Sequence, residues 1–220
     1  MEYDTEQLTF NMIKQCTEFK NKTVLEIGCG SGKLSSLLAD VTEDYIGIDP
    51  EVNAINNASQ TYENVDFRVG RGESLAFTDS RFDLVLFTLS LHHHQNSSLA
   101  LKEAARVLKE QGRLVVIEPS IEGEFQQFFH LFYDETHEIQ TAYQNLINSD
   151  FILENEDTFN AIVIFEGKED LCSYSFDRET IAPGDADRII EKLSQLQPGE
   201  ADHSPIIIKD TINIYILSKI

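Results

Sequence analysis

The run Val24-Leu25-Glu26-Ile27-Gly28-Cys29-Gly30-Ser31-Gly32-Lys33 sets three glycines at alternate positions directly after a short β-like stretch. Glycines there let the backbone turn sharply and approach a ligand closely, and the N–H groups that open a following helix favour negative charge. The pattern is ExGxGxG. A dinucleotide-binding dehydrogenase loop, GxGxxG or GxGxxA, would place Gly or Ala at the position held by Lys33. Asp49 closes the next β-like run, Ile46-Gly47-Ile48-Asp49-Pro50, 19 residues after Gly30. A carboxylate at the end of a second strand can accept both hydroxyls of an adenosine ribose. These residues predict a nucleotide-type loop, the alternative being a glycine turn that merely joins strand to helix.

A second group could move protons. His92, His93 and His94 follow the β-like run Phe82–Phe87, and imidazole is a suitable base for an oxygen or nitrogen nucleophile near neutral pH. The competing reading gives them loop packing and capping. Glu118, before Pro119, ends another run on the same edge, where it would touch a substrate, orient a histidine or face solvent. No metal centre is expected: consecutive histidines project in different directions, and His130, Asp134 and His137 read as the solvated face of a helix.

The elements that must hold these groups follow from periodicity. Leu8, Met12, Cys16 and Phe19 are at helical spacing, with Asp4 or Thr5 as cap, predicting an N-terminal helix within residues 1–21. Residues 22–118 then alternate: β-like runs at 24–27, 45–48, 65–69, 82–87 and 114–117, separated by helical segments at 34–39, from Glu51, and at 99–108. Such alternation implies βαβ crossovers and an α/β, doubly wound, mostly parallel sheet. Residues 119–150 read as one long amphipathic helix, aromatic at its start (Phe125, Phe128, Phe129, Phe132). Those rings belong either to a core or to a lid over an apolar substrate, hinged at Gly123. In residues 151–220, the runs 159–165 and 212–217 predict an antiparallel hairpin at the sheet edge, with short helices near 169–173 and 185–196 between them. The expectation is a single domain throughout.

With the motifs in this order, residues 22–118 resemble the class I S-adenosylmethionine-dependent methyltransferases, within them the small-molecule group of ubiquinone/menaquinone-methyltransferase type. Besides the glycine loop and Asp49, the resemblance rests on Gly72-Glu73-Ser74-Leu75-Ala76-Phe77, Arg81-Phe82-Asp83-Leu84-Val85-Leu86, Leu91-His92-His93, and Arg106-Val107-Leu108-Lys109 with Gly112-Arg113-Leu114. It implies a Rossmann-like sheet and methyl transfer from S-adenosyl-L-methionine to a small molecule, with S-adenosyl-L-homocysteine as product. By the same resemblance Glu26, Gly28, Cys29, Gly30 and Gly32 would surround the methionine part, Asp49 and Pro50 the ribose, Gly72 and Glu73 the adenine, and Thr88 and Leu89 would line the same edge. His92, His93, His94 and Glu118 would be the catalytic candidates. One departure stands out: the family commonly has Asp where this chain has Arg71, and a guanidinium cannot accept from the adenine amino group. Arg71 motivates the alternative of a cofactor-binding sensor or partner subunit without turnover.

Composition narrows the partners. The 220 residues carry 38 Asp+Glu against 17 Lys+Arg, a net charge of -21. Binding to phosphate backbones needs clustered cations, so nucleic acid is not expected. Residues 1–118 hold 18 acids and 11 bases, residues 119–220 hold 20 and 6, so most of the excess lies in the part expected to shape substrate access. That field would either draw in a cationic sulfonium or serve solubility. No run approaches the roughly 20 apolar residues of a membrane span, and the start Met1-Glu2-Tyr3-Asp4 lacks a basic leader region, which reads as a cytoplasmic protein. Cys16, Cys29 and Cys172 form no CxxC pair and are expected as free thiols. Oligomeric state is not legible.

Overall fold

The computed structural model describes residues 1–130, 134–176, 186–196 and 205–219. In chain order the elements are β1 (Glu2–Tyr3), α1 (Leu8–Cys16), β2 (Thr23–Ile27), α2 (Lys33–Ala39), β3 (Asp44–Asp49), α3 (Val52–Thr61), β4 (Asp66–Val69) and β5 (Phe82–Thr88). A 3-10 turn at Leu91–His93 follows, then α4 (Ser97–Val107), β6 (Leu108–Pro119), α5 (Glu124–Phe129), α6 (Thr136–Ile147), β7 (Phe151–Phe165), α7 (Lys168–Phe176), α8 (Ala186–Leu196) and β8 (Ile206–Lys219).

The strands pair in the order β1-β7-β8-β6-β5-β2-β3-β4. β2 runs parallel to β3 and β5, as do β3 to β4 and β5 to β6. The chain winds outward through β3 and β4, then crosses to the other side of β2 to lay down β5. The carboxyl ends of β2 and β5 therefore flank the topological switch point, where α/β sheets bind ligands. β1 is antiparallel to β7. Contacts at both ends set β8 against β6: the Ser120 N–H donates to the Thr211 carbonyl, and Lys219 Nζ reaches the Leu108 carbonyl. The antiparallel edge is as the sequence predicts. Among the described residues no helix is long and apolar enough to cross a membrane.

The chain groups into two compact units interleaved in sequence. One comprises Phe10–Glu118, Glu138–Asp157 and Asn213–Ile220. Its central strands are near-continuous apolar runs, with Val24, Leu25, Ile27 and Leu84 to Phe87 buried, because a parallel sheet is covered on both faces. Its core also takes in Leu101, Ala104 and Val107 of α4 and Ala142 and Leu146 of α6. The Thr23 hydroxyl and N–H and the Lys109 ammonium all donate to Asp83 Oδ2, pinning the starts of β2, β5 and β6.

The other unit comprises Met1–Thr9, Pro119–His137 and Thr158–Ile212. Phe128 and Phe129 are buried there with Val163, Phe165, Leu171, Leu193, Ile206 and Ile208, and Phe125 packs on the same cluster. Ile206, Ile208, Asp210 and Ile212 share the buried face of β8, so a carboxylate interrupts an isoleucine row. Asp210 is 4% exposed. Tyr3 donates its hydroxyl to Asp210 Oδ2 (3.0 Å), while Oδ1 has no hydrogen-bond partner among the described residues. Burial pushes the Asp210 carboxyl up to about 7 against the opposing Tyr3 bond.

The structure amends three expectations. The N-terminal helix is confined to Leu8–Cys16, capped by Asp4, whose carboxylate accepts from the Leu8 and Thr9 N–H groups, and strand β1 precedes it. The long helix of 119–150 is two helices, because Asp134 Oδ1 accepts the Thr136 N–H and opens a new first turn. His130, Asp134 and His137 consequently do not share one helical face; the His130 ring instead meets the Thr136 hydroxyl at 3.1 Å. The hairpin strands are longer than their apolar runs, β7 starting at Phe151 and β8 at Ile206, since backbone pairing carries them through polar stretches.

Candidate active site

The switch point is built on Glu26. Its carboxylate is buried at the end of β2 and accepts hydroxyls from Thr88, Ser35 and Tyr45, the last at 2.9 Å. Burial raises its pKa, and the Ser35, Thr88 and Tyr45 hydroxyls oppose that rise. Both oxygens of Glu26 thus tie β2, α2, β3 and β5 together beneath the glycine loop. In the loop Gly28, Gly30 and Gly32 all have positive φ (80°, 51° and 76°), a region costly for residues bearing a Cβ. Their surroundings differ. A Cβ at Gly28 would lie 2.4 Å from Ser90 Cβ, and one at Gly32 2.4 Å from Phe67 Cζ, but at Gly30 nothing lies within 4 Å. The loop is thus clamped at both ends and open in the middle.

Asp49 faces that opening. Its Oδ2 accepts the Gly30 N–H (2.9 Å) and its Oδ1 the Glu51 N–H (2.8 Å), which leaves lone pairs on both oxygens. Pro50 follows, exposed. Cys29 is buried, and burial with the charges of Glu26 and Asp49 raises its thiol, which disfavours the thiolate form. Across the switch point Leu89 adopts φ 54° and donates its N–H to the Ile117 carbonyl. Ser90, which the motifs did not single out, donates its hydroxyl to the Ile27 carbonyl (2.6 Å) and bears on Gly28. Nothing in the local sequence around Ser90 announces that role.

The three histidines occupy different environments. His92 is buried, with Nδ1 bonded to Glu118 Oε2, and Glu118 Oε1 accepts the Leu91 N–H at 2.8 Å. His94 bonds through Nδ1 to the Ser90 carbonyl (2.9 Å); a carbonyl only accepts, so that nitrogen carries the proton. The His94 ring meets Phe87 edge-on and lies against Gly72, where a Cβ would come within 2.3 Å of Nε2. His93 is exposed and stacked on His92, ring centroids 3.9 Å apart. Desolvation by the surrounding protein, then the neighbouring His92 and His94, push its pKa down to about 4, against the pull of Asp49 and Glu138. Glu73 Oε1 accepts the Asn96 N–H (3.4 Å), and Arg71 lies exposed at the start of the same turn. Phe125, Phe128 and Phe129 pack in the core described above, and Phe132 lies outside the described residues.

Comparison with known proteins decides the family. The profile described as "Methyltransferase domain" matches residues 18–178. The chain belongs to this methyltransferase-domain family. It is 33% identical over 112 residues to the uncharacterized methyltransferase YcgJ of Bacillus subtilis, covering 49% of this chain and 44% of YcgJ. It is 36% identical over 101 residues to the ubiquinone biosynthesis O-methyltransferase of Azorhizobium caulinodans, covering 44% of this chain and 40% of that protein. To the ubiquinone/menaquinone biosynthesis C-methyltransferase UbiE of Rickettsia prowazekii it is 27% identical over 173 residues, 69% of this chain and 70% of that one. The first two matches thus span less than half the length of those relatives. The crystal structure of YcgJ superposes with TM-score 0.67 at 22% identity, covering 95% of this chain and 96% of YcgJ, which shows that this chain has the same Rossmann-like fold.

Proposed function

We propose that this chain transfers the methyl group of S-adenosyl-L-methionine to a small-molecule acceptor. The observation that carries the reading is the open cradle over Gly30 facing the Asp49 carboxylate, at the switch point of a sheet in the methyltransferase-domain family. The residues present fit an adenosyl cofactor. Space at Gly30 admits a ligand against the backbone, Asp49 keeps acceptor capacity for the ribose hydroxyls, and the Gly72-Glu73 turn borders the adenine end. Bound there, the cofactor would supply an electrophilic methyl on a sulfonium. The chain's own part is to bind and orient: Glu26 and Ser90 hold the loop, Asp49 fixes the ribose, and Thr88 and Leu89 shape the edge of β5. Positioning the acceptor in line with the methyl–sulfur bond and excluding water supply much of the rate effect in such a transfer.

Calorimetry with S-adenosylmethionine and S-adenosylhomocysteine tests the reading. Binding of both is expected, and Asp49→Ala should weaken it by roughly 100-fold, the loss of two hydrogen bonds to a charged group. No binding of either by the wild type refutes it. Firm binding without transfer to phenols, quinols, amines or carboxylates is the signature of a sensor or partner subunit, the reading Arg71 favours because a donor-only side chain stands at the adenine end.

A further inference from the structure

We propose that the unit formed by Met1–Thr9, Pro119–His137 and Thr158–Ile212 binds a protonated primary amine, with Asp210 as its counter-ion and Gln126 and Thr9 as further acceptors. The inference goes beyond the methyl-transfer reading and does not depend on it.

Among the described residues, three buried side-chain oxygens have no hydrogen-bond partner: Thr9 Oγ1, Gln126 Oε1 and Asp210 Oδ1. All three belong to this one unit. Native proteins leave few such groups, and those that persist call for a ligand, an ion or a functional reason. Buried carboxylates elsewhere in the chain are better served. Glu26 accepts three hydroxyls, and Glu118 takes the Leu91 N–H and the His92 ring. Asp210, only 4% exposed, has the Tyr3 hydroxyl on one oxygen and nothing among the described residues on the other.

The segments carrying the three atoms are tied to Asp210 and its neighbours. Tyr3 bonds Asp210 directly (3.0 Å), and the next residue, Asp4, accepts the Thr9 N–H (3.0 Å). On the other flank, Glu124 Oε2 accepts the Lys209 N–H (2.9 Å), and a Cβ at Gly123 would lie 3.0 Å from Thr211 Cβ. Gln126 stands in the first turn of α5, which those two residues open. Around this polar group the unit is apolar, with Phe128, Phe129, Val163 and Ile208 in one buried cluster. Ile208 shares the buried face of β8 with Asp210.

Each of the three oxygens can accept, and one of them carries charge. A primary ammonium brings three N–H donors, no acceptor and one positive charge. A guanidinium brings five donors, more than the set takes up; a quaternary ammonium brings none; an alcohol or a water brings a proton without a charge. Burial pushes the Asp210 carboxyl up to about 7, a cost that a cationic partner removes. The aromatic and aliphatic surroundings suit a hydrocarbon body behind the ammonium. The 20 acids against 6 bases of residues 119–220 favour the approach of such a cation.

Calorimetry without cofactor tests the site at about pH 8, where Asp210 is ionised. The probes are phenethylamine, n-hexylamine, phenethyl alcohol and the quaternary trimethyl form of phenethylamine. Both amines are expected to bind, and the alcohol and the quaternary form roughly 100-fold more weakly, the loss of hydrogen bonds within a charged pair. Asp210→Asn should weaken amine binding about 100-fold, and Gln126→Leu roughly tenfold. Thermal melts supply a second readout: phenethylamine should raise the melting temperature of the wild type and leave that of Asp210→Asn unmoved. The same melts show whether each variant is folded, and the Gln126→Leu comparison stands if Asp210→Asn is not. Equal affinity for the amine and the alcohol, folded variants that bind the amines within about threefold of wild type, or no amine binding at millimolar concentration each overturn the inference. Stabilisation by sodium or potassium ions but not by the amines overturns it too, assigning the oxygens to an inorganic ion. All of these results leave the methyl-transfer reading intact, because no cofactor is present.

Discussion

Asp210→Asn should stabilise the protein, and by an amount that depends on pH. Burial holds the Asp210 carboxyl at about 7 against an unperturbed 3.8. The unfolded chain therefore releases this proton near 3.8 and the folded chain only near 7. Between those values the folded state binds more protons, so stability falls as pH rises, by up to about 1.4 kcal/mol per pH unit. The full penalty, reached above pH 7, is about 4 kcal/mol, and it vanishes below pH 3.8. Asn keeps an acceptor for the Tyr3 hydroxyl but places an amide NH2 among isoleucines, giving back about 1–2 kcal/mol. The net gain expected at about pH 8 is thus roughly 2–3 kcal/mol, with little or none at about pH 4.5. Urea unfolding followed by circular dichroism across this range measures it. A gain equal at both pH values, or a variant less stable at pH 8, would show that Asp210 does not bear a buried, raised carboxyl.

Further outcomes follow from the same geometry. Gly30→Ala should cost only about 1 kcal/mol of stability yet abolish S-adenosylhomocysteine binding, because its methyl fills the open cradle. Gly28→Ala, driven into Ser90, should cost several times more; thermal melts and calorimetry on the pair separate the two effects. Burial alone would raise Asp83, but Lys109 and Thr23 outweigh it and hold it down to about 2. Its contribution, about 1 kcal/mol after allowing for solvent screening, should be present above pH 4 and lost as pH falls toward 2. Asp83→Asn should remove that acid-side slope in urea titrations. If the acidity of the chain steers the sulfonium cofactor inward, its association rate should fall as salt is raised in stopped-flow mixing; a rate independent of ionic strength assigns the charge to solubility.

The legible parts of the sequence are those where one residue type answers one local demand. Gly28, Gly30 and Gly32 stand out because the turn needs positive φ, and the buried strands β2, β5 and β6 because both faces demand apolar side chains. Glu118 could be read as orienting a histidine because the two strand ends, though 26 residues apart in sequence, belong to neighbouring runs. What stayed hidden has no local signature. β1 is two residues long, too short for any period, and is fixed by pairing with Val163 and Ile164. The interruption between α5 and α6 comes from a side-chain bond at Asp134 in a stretch whose apolar spacing continues on both sides. Residues 152–158 of β7 are exposed throughout, so no alternation marks them as strand. Asp210 was readable in principle, as the one acid in the period-two row of 206, 208, 212 and 214.

The position of β8 has a consequence for how the chain is made. β6 lies between β5 and β8, so one whole edge of a central strand is completed only by a strand that starts at Ile206, far later in the sequence. After β6 leaves the ribosome, about a hundred further residues must follow before β8 is complete, and at ~5–20 residues per second that interval lasts roughly 5–20 s. During it β6 presents a row of unpaired N–H and C=O groups, the template on which strands of other chains assemble. A fragment ending near Glu118 would hold that state permanently. It would contain every residue proposed to touch the cofactor and still be expected to aggregate.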